Sequence, residues 1–129
     1  MRKTIIISLF IIKASSLYSQ AEIKYNDIIK QRMLLREYAL CKCLDYGFAN
    51  DSLLKKDFSV AVLVEQLNYS PQAYFIIDSL MRNFADSIHS SRYIDALGKK
   101  GVMVNCIDYY NGRDLSLYIR RLDKYLHIK

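Results

Sequence analysis

The sequence has few residues that interrupt helices, with one proline, four glycines and no tryptophan among its 129 residues. Proline and glycine are the strongest breaks in regular structure, so long elements are expected. Groups needed for enzyme chemistry are also sparse. There is no glycine-rich phosphate loop, and no pair of isolated carboxylates lies inside an apolar stretch. These shortages argue against an enzyme.

Histidine and cysteine do not form a catalytic or metal-binding pattern either. The two histidines, His89 and His127, are predicted in a loop and at the tail, so neither places a base beside a nucleophile. Cys43 and Cys106 are predicted in the middle of helices, whereas an activated thiolate needs a helix start or a neighbouring histidine. Cys41 and Cys43 are too close in sequence for a zinc knuckle. The sequence therefore predicts no catalytic residue, no metal site and no cofactor.

The first 19 residues have the layout of a secretory signal peptide. A short basic start is followed by an apolar run over residues 4–12 and by small and polar residues that offer cleavage after Ser19. A membrane anchor is the alternative, but this run is far shorter than the about 20 residues that cross a bilayer. We expect residues 1–19 to be removed during export and residues 20–129 to form the mature protein, whose length fits one domain.

Much of the positive charge lies in this leader. Without Arg2, Lys3 and Lys13, the total of lysine and arginine falls from 19 to 16 against 13 acidic residues, and the formal charge falls from +6 to +3. No dense basic stripe with interleaved aromatic residues remains, so the composition disfavours nucleic-acid binding.

The apolar spacing predicts an all-α, compact single-domain bundle of about five helices. The first should start near Asn26 or Asp27 and end at Gly47, and the second should be capped within residues 50–52 and continue to Asn68. A strand over residues 59–64 is the alternative for part of the second helix. The remaining helices are predicted from Ser70-Pro71 to about Ile88, over residues 102–110, and over residues 114–126.

A helical wheel distinguishes the cysteines. At about 100° per residue, Cys43 falls within the apolar arc of the first helix and Cys41 falls among charged residues. Cys106 is central on the apolar face predicted for residues 102–110, which also includes Met103 and Ile107. A buried disulfide between Cys43 and Cys106 is therefore geometrically sensible, and Cys41 is left as an odd thiol. The alternative is two unpaired core cysteines, and export favours the disulfide.

Two features point to binding. Arg32 and Arg36 fall within the apolar arc of the first helix, so they either snorkel at its edge or meet a partner chain. The connection over residues 89–101 is long for a small helical frame, and such loops often carry binding residues. We expect a partner to contact donors and rings of this loop, namely His89, Ser90, Ser91, Arg92, Tyr93, Lys99 and Lys100.

Short motifs in this chain resemble those of a known family. They are Cys43-Leu44 in the first helix, the Ser70-Pro71 start of the middle helix, and residues 105–115 (NCIDYYNGRDL) with Cys106 followed by aromatic residues and a polar break. This pattern is similar to that of the type VI secretion amidase immunity proteins, which are small exported helical proteins.

The resemblance implies a periplasmic protein that is not an enzyme and that neutralises a cell-wall amidase. The effectors of this family are papain-like cysteine peptidases that cut peptidoglycan, and the inhibitors block the cleft, typically as homodimers. No family contact residue is matched in the loop, so its choice rests on the residues alone, and Cys41 departs from the pattern. The alternatives are a non-enzymatic periplasmic helical adaptor or structural subunit and, third, an unrecognised enzyme.

Overall fold

The computed structural model describes residues 2–49, 57–94 and 97–127, with side chains from Lys24 onward. These residues form an all-α fold with five helices, which confirms the predicted class. The helices are α1 (Arg2–Gly47), α2 (Ser59–Gln66), α3 (Pro71–Ser87), α4 (Val102–Asn111) and α5 (Arg113–Arg121), and α5 continues into a 3-10 turn over Leu122–Tyr125. Within the described part, no helix combines the length and the apolar run needed to cross a bilayer.

Helix α1 is the element against which the other four helices pack. It starts at Arg2, so the predicted start at Asn26 or Asp27 is wrong. Both are good capping residues, but a cap needs an interrupted helix, and residues 2–46 contain no proline or glycine. The helix ends at Gly47 as expected.

The start predicted for α2 at residues 50–52 lies outside the described residues. The helix observed there begins at Ser59, where one carboxylate oxygen of Asp57 accepts hydrogen bonds from the Ser59 backbone N–H at 2.8 Å and from its hydroxyl at 2.6 Å. These bonds hold the pKa of Asp57 below its ordinary value. The structure rejects the strand alternative for residues 59–64.

Helix α3 begins at Pro71, as the sequence predicts, but the Ser70 hydroxyl makes no capping bond. The Ser70 backbone N–H instead donates to the carbonyl oxygen of Tyr125 at 2.8 Å. Beside it, Tyr69 and Leu126 form an isolated antiparallel bridge. The start of α3 is therefore fixed to the C-terminal segment through the backbone.

The core runs along one narrow stripe of α1 and meets α3, α4 and α5. The stripe is narrower than the predicted arc, since Met33 is 56% exposed while Gln31 is buried. The Gln31 amide donates to the Gln66 carbonyl and accepts from the Asn68 backbone N–H, which explains a buried polar residue at this position. The buried apolar residues include Leu35, Tyr38, Ala39, Cys43, Ile77, Met81, Cys106, Leu115, Ile119 and Leu122.

Arg32 and Arg36, the two cations within the apolar arc of α1, are half-buried and both have partners within the chain. Arg32 forms a bidentate salt bridge with Asp123, in which the Arg32 Nε lies 3.0 Å from one carboxylate oxygen. Arg36 donates to the Tyr110 carbonyl and lies over the Tyr110 ring, 4.8 Å from its centroid. Both partners are remote in sequence, which explains why the wheel of α1 alone could not identify them.

Candidate protein-interaction site

The structure joins Cys43 of α1 to Cys106 of α4 by a disulfide. Both cysteines are buried in the core, which is the arrangement the helical wheels predict. The two helices also approach closely one turn after Cys43 on α1 and one turn before Cys106 on α4. A Cβ added to Gly47 would lie 2.2 Å from a methyl carbon of Val102, so any other residue at the end of α1 would force Val102 or the helix to shift. The start of α4 is thus fixed to α1 by packing and by a covalent bond.

The connection between α3 and α4 leads directly into this fixed start of α4. Ser90 and Lys100 form an isolated antiparallel bridge, and the Ser91 backbone N–H donates to the Lys99 carbonyl at 2.7 Å. Gly98 adopts a φ of +77°, a conformation that favours glycine, so the chain can turn back at this point. The loop over residues 89–101 therefore has a closed base, and its turn lies beyond that base.

All seven residues predicted to contact a partner lie in this loop, and six of them are exposed. Tyr93 has 83% of its surface exposed, and its backbone N–H donates to the Ser91 hydroxyl at 3.1 Å. Ser91 is half-buried because it lies at the closed base. The fold thus presents at one end of the bundle the positions His89, Ser90, Ser91, Arg92, Tyr93, Lys99 and Lys100.

Sequence reasoning missed the apolar side chains at this end. Ile94 is 93% exposed and Leu97 is 73% exposed. On α4, Met103, Val104 and Ile107 are also exposed, so placing Met103 and Ile107 on a core face was wrong. Val102 and Cys106 pack against α1. The side of α4 that carries Met103, Val104 and Ile107 therefore stays exposed in the described part of the structure. The sequence did contain a sign of this exposed apolar surface, because apolar residues stand in a loop that also contains a glycine suited to a turn.

Two clefts contain a histidine or a cysteine, and neither contains both. A cleft of about 380 Å³ is lined by His127 with Asp27 and Lys30, and no cysteine lines it. A second cleft of about 140 Å³ is lined by Cys41 and Asp57 and has no histidine. Burial and nearby carboxylates raise the pKa of the Cys41 thiol, so it stays protonated at neutral pH. No metal-binding cluster of histidine, cysteine or carboxylate groups occurs among the residues with described side chains.

Comparison with models of protein families gives a match to the chain. A family model, Tai4, described as a type VI secretion system amidase immunity protein, matches residues 33–119. The matched part contains both bridged cysteines and the whole of the 89–101 loop. No curated protein and no solved structure matches the chain.

Proposed function

Because the chain belongs to the family of type VI secretion system amidase immunity proteins, we propose that it binds a cognate peptidoglycan amidase and blocks its cleft. The producing cell would thereby be protected from its own or a sibling's toxin. Inhibition by occupying a cleft needs a projecting element on a rigid frame rather than reactive groups.

The observation that supports a binding face at the loop is its position on the braced end of the bundle. Its base is closed by backbone hydrogen bonds, and α4 begins at Val102, directly after it. A surface held in its bound shape loses less conformational entropy on association than a flexible one. Arg92 and Tyr93 are exposed there, and arginine and tyrosine are frequent interface anchors. We therefore assign effector contact to the loop, including His89, Ser90, Ser91, Lys99 and Lys100.

We further propose that the protein acts in the periplasm after residues 1–19 are cleaved. A disulfide supports this compartment, because disulfides persist where the environment is oxidising. Cleavage is compatible with the fold, since residues 24–27 of α1 are all exposed and the buried stripe begins only at Gln31. Residues 20–129 would then form the immunity domain.

The resemblance noted in the sequence carries two finer expectations. The effector should be a papain-like cysteine peptidase, and the immunity protein should act as a homodimer. Light scattering on the mature chain, alone and with its effector, tests the second expectation. A monomer in both samples would contradict it and leave inhibition by a single copy.

Co-expression tests the central proposal. The full chain, with its leader, is produced together with each cysteine amidase of the same genome directed to the periplasm, and lysis is followed by culture density. We expect the chain to stop lysis by one amidase. Arg92→Glu should lose this protection, because it reverses an exposed charge in the loop. Arg120→Glu, which reverses an exposed charge on α5, is the matched control and should protect as the wild type does.

Two results would contradict the proposal. Continued lysis with every amidase would favour the alternative, a helical adaptor or structural subunit of the periplasm. Protection that persists after both Arg92→Glu and removal of residues 90–100 would show that the loop is not the binding element. The periplasmic location fails separately if the intact chain, with its leader, stays in the cytosol with all three cysteines reduced.

A further inference from the structure

The end of the bundle that carries the 89–101 loop also carries six large apolar side chains that are exposed in the described structure. We call this set the apolar tip, and it consists of Tyr93, Ile94 and Leu97 of the loop and Met103, Val104 and Ile107 of α4. Single exposed apolar residues are common on monomeric proteins, whereas contiguous sets mark interaction sites. Ile94 and Leu97 are 93% and 73% exposed, so they bury little surface within the described chain.

The three α4 residues follow soon after the loop in sequence and share one side of the helix. At about 100° per residue, Met103, Ile107 and Val104 lie within an arc of roughly 100° on α4. They all lie to one side of Cys106, about 60–160° from its direction, and Cys106 points to α1. Because the loop closes at Lys100, directly before α4, the loop and the start of α4 lie at the same end of the molecule.

A hydrogen bond at the start of α4 and the disulfide to α1 hold this surface in place. The Asn105 side-chain amide donates to the Gly101 carbonyl at 2.7 Å, which ties the end of the loop to the first turn of α4. The disulfide at Cys106 anchors the same turn to α1. An apolar surface with this support can bind without first being ordered, which favours tight association.

Charge indicates what kind of surface would cover the tip. Arg92 precedes Tyr93, and Lys99 and Lys100 follow Leu97, so three exposed cations flank the apolar side chains. The loop sequence contains one acidic residue, Asp95, which lies outside the described residues. A complementary partner therefore has an apolar recess with carboxylates around its edge.

We propose that the apolar tip, rather than the polar residues beside it, is the main anchor, and that it enters an apolar recess with an acidic rim in the amidase. This inference rests on the proposed function, and it specifies the chemistry of the effector's side of the interface. Buried apolar anchors determine the dissociation rate of such complexes. The flanking cations act mainly on the association rate and on its dependence on salt.

The test compares two variants with matched exposure. Ile94→Ser/Leu97→Ser removes apolar surface at the tip, and Phe75→Ser removes an equally exposed ring, 74% exposed, on α3. Binding to the amidase that the wild type neutralises is measured by surface plasmon resonance at low and high salt. We expect the tip variant to raise Kd by at least about 30-fold, the factor typical of losing a hot spot, through faster dissociation at both salt concentrations. Phe75→Ser should bind within about threefold of the wild type, as near-neutral contacts do.

The outcomes separate this inference from the proposed function. Failure of the wild type to bind or inhibit any amidase would overturn the proposed function. Wild-type binding that the tip variant retains, while Arg92→Glu loses it, would overturn the apolar anchor alone. A circular dichroism spectrum like that of the wild type verifies that the tip variant is folded. A single reactive thiol in the unreduced tip variant verifies that its disulfide has formed.

Two other occupants of the tip give distinct results. Wild-type binding to vesicles of phosphatidylglycerol, lost in the tip variant while amidase binding is retained, would assign the tip to a membrane. Loss of a dimer in the tip variant without loss of amidase affinity would assign it to a second copy of this chain. Either result would overturn the inference.

Discussion

Removing the Cys43–Cys106 disulfide should destabilise the protein by an amount that can be worked out from the chain it closes. The two cysteines are 63 residues apart in sequence. Cross-linking a loop of this length lowers the entropy of the unfolded chain enough to stabilise the folded state by about 4.3 kcal/mol at 25 °C. A domain of this size is stable by only about 5–15 kcal/mol, so the disulfide is a large part of the total.

The variant for this test replaces both cysteines with alanine. A single replacement would leave one bridge cysteine free to pair with Cys41, which lies two residues from Cys43. Urea denaturation followed by circular dichroism should show a midpoint lower by roughly 2–3 M at the slopes typical of small domains. The slope itself should rise, because the unfolded chain without the cross-link is less compact and exposes more surface.

Two controls identify the origin of the change. Wild type treated with dithiothreitol keeps both sulfur atoms, so it should shift nearly as far as the double variant if chain entropy dominates. Cys41→Ala removes a half-buried thiol that forms no disulfide, and its midpoint should stay close to that of the wild type. A double variant as stable as the wild type would refute the reasoning, as would a Cys41→Ala shift of the same size.

Three further predictions concern buried groups. Gly47→Ala should cost about 1–3 kcal/mol of unfolding free energy, because the added Cβ would lie 2.2 Å from Val102, and Val102→Ala in the same chain should recover part of that loss. Tyr69→Phe should leave stability at pH 7 unchanged or higher, because the buried hydroxyl has no hydrogen-bond partner among the described residues. Burial raises the pKa of Tyr69 from 10 to about 12, so the hydroxyl loses its proton at a lower pH in the unfolded chain than in the folded one. The wild type therefore loses stability as the pH rises from 10 to 12. Tyr69→Phe, which has no hydroxyl, should lose less stability over this range. Cys41 should be the single thiol alkylated in denatured, unreduced protein, and in folded protein it should react slowly because its pKa is raised by burial and by carboxylates such as Asp57.

Each of these has a result that would contradict it. Costs of Gly47→Ala and Val102→Ala that simply add would mean that the two positions do not meet. A loss of more than about 1 kcal/mol at pH 7 in Tyr69→Phe would mean that the hydroxyl makes a hydrogen bond in solution. Mass spectrometry that finds three reactive thiols in the unreduced protein would contradict both the disulfide and the assignment of Cys41.

Local pattern was sufficient for the all-α class, for the start of α3 and for the choice of bridge cysteine. Cys43 lies two residues from Cys41, and the 200° between them on a helix is enough to separate a core position from a surface one. The proline at position 71 marked the start of α3 for a local reason, since a first-turn residue needs no N–H donor. These features depend on neighbours within one or two turns, which a sequence displays directly.

Contacts between remote segments were not predictable in this way. Arg32 lies 91 residues from Asp123, and Arg36 lies 74 residues from Tyr110, so the wheel of α1 shows only two charges on an apolar face. Gly47 looked like an ordinary helix end, but the structural reason for glycine is the approach of Val102 from α4. Such assignments require the packing of the whole chain.

The candidate site shows the same division between local and remote information. A long loop with exposed polar residues can be recognised from composition, and the fold does place it at the braced end. The apolar residues of α4 beside it were placed on a core face, because Met103 and Ile107 share a helix with buried residues. Only the position of α1 against Val102 and Cys106 decides which side of α4 stays exposed.

The polar contacts of α1 also suggest how this fold could keep its stability while its partner changes. Gln31 ties the helix to the α2–α3 connection and Arg32 ties it to the C-terminal segment, while Arg36 and the disulfide tie it to α4. The 89–101 loop is held at its base by backbone hydrogen bonds, which depend little on side-chain identity. Under the proposed function, substitutions at exposed positions such as Ile94 should therefore change which amidase is recognised with less than about 0.5 kcal/mol of effect on folding. Substitutions along α1 should have the opposite effect, because they break contacts that hold the frame together.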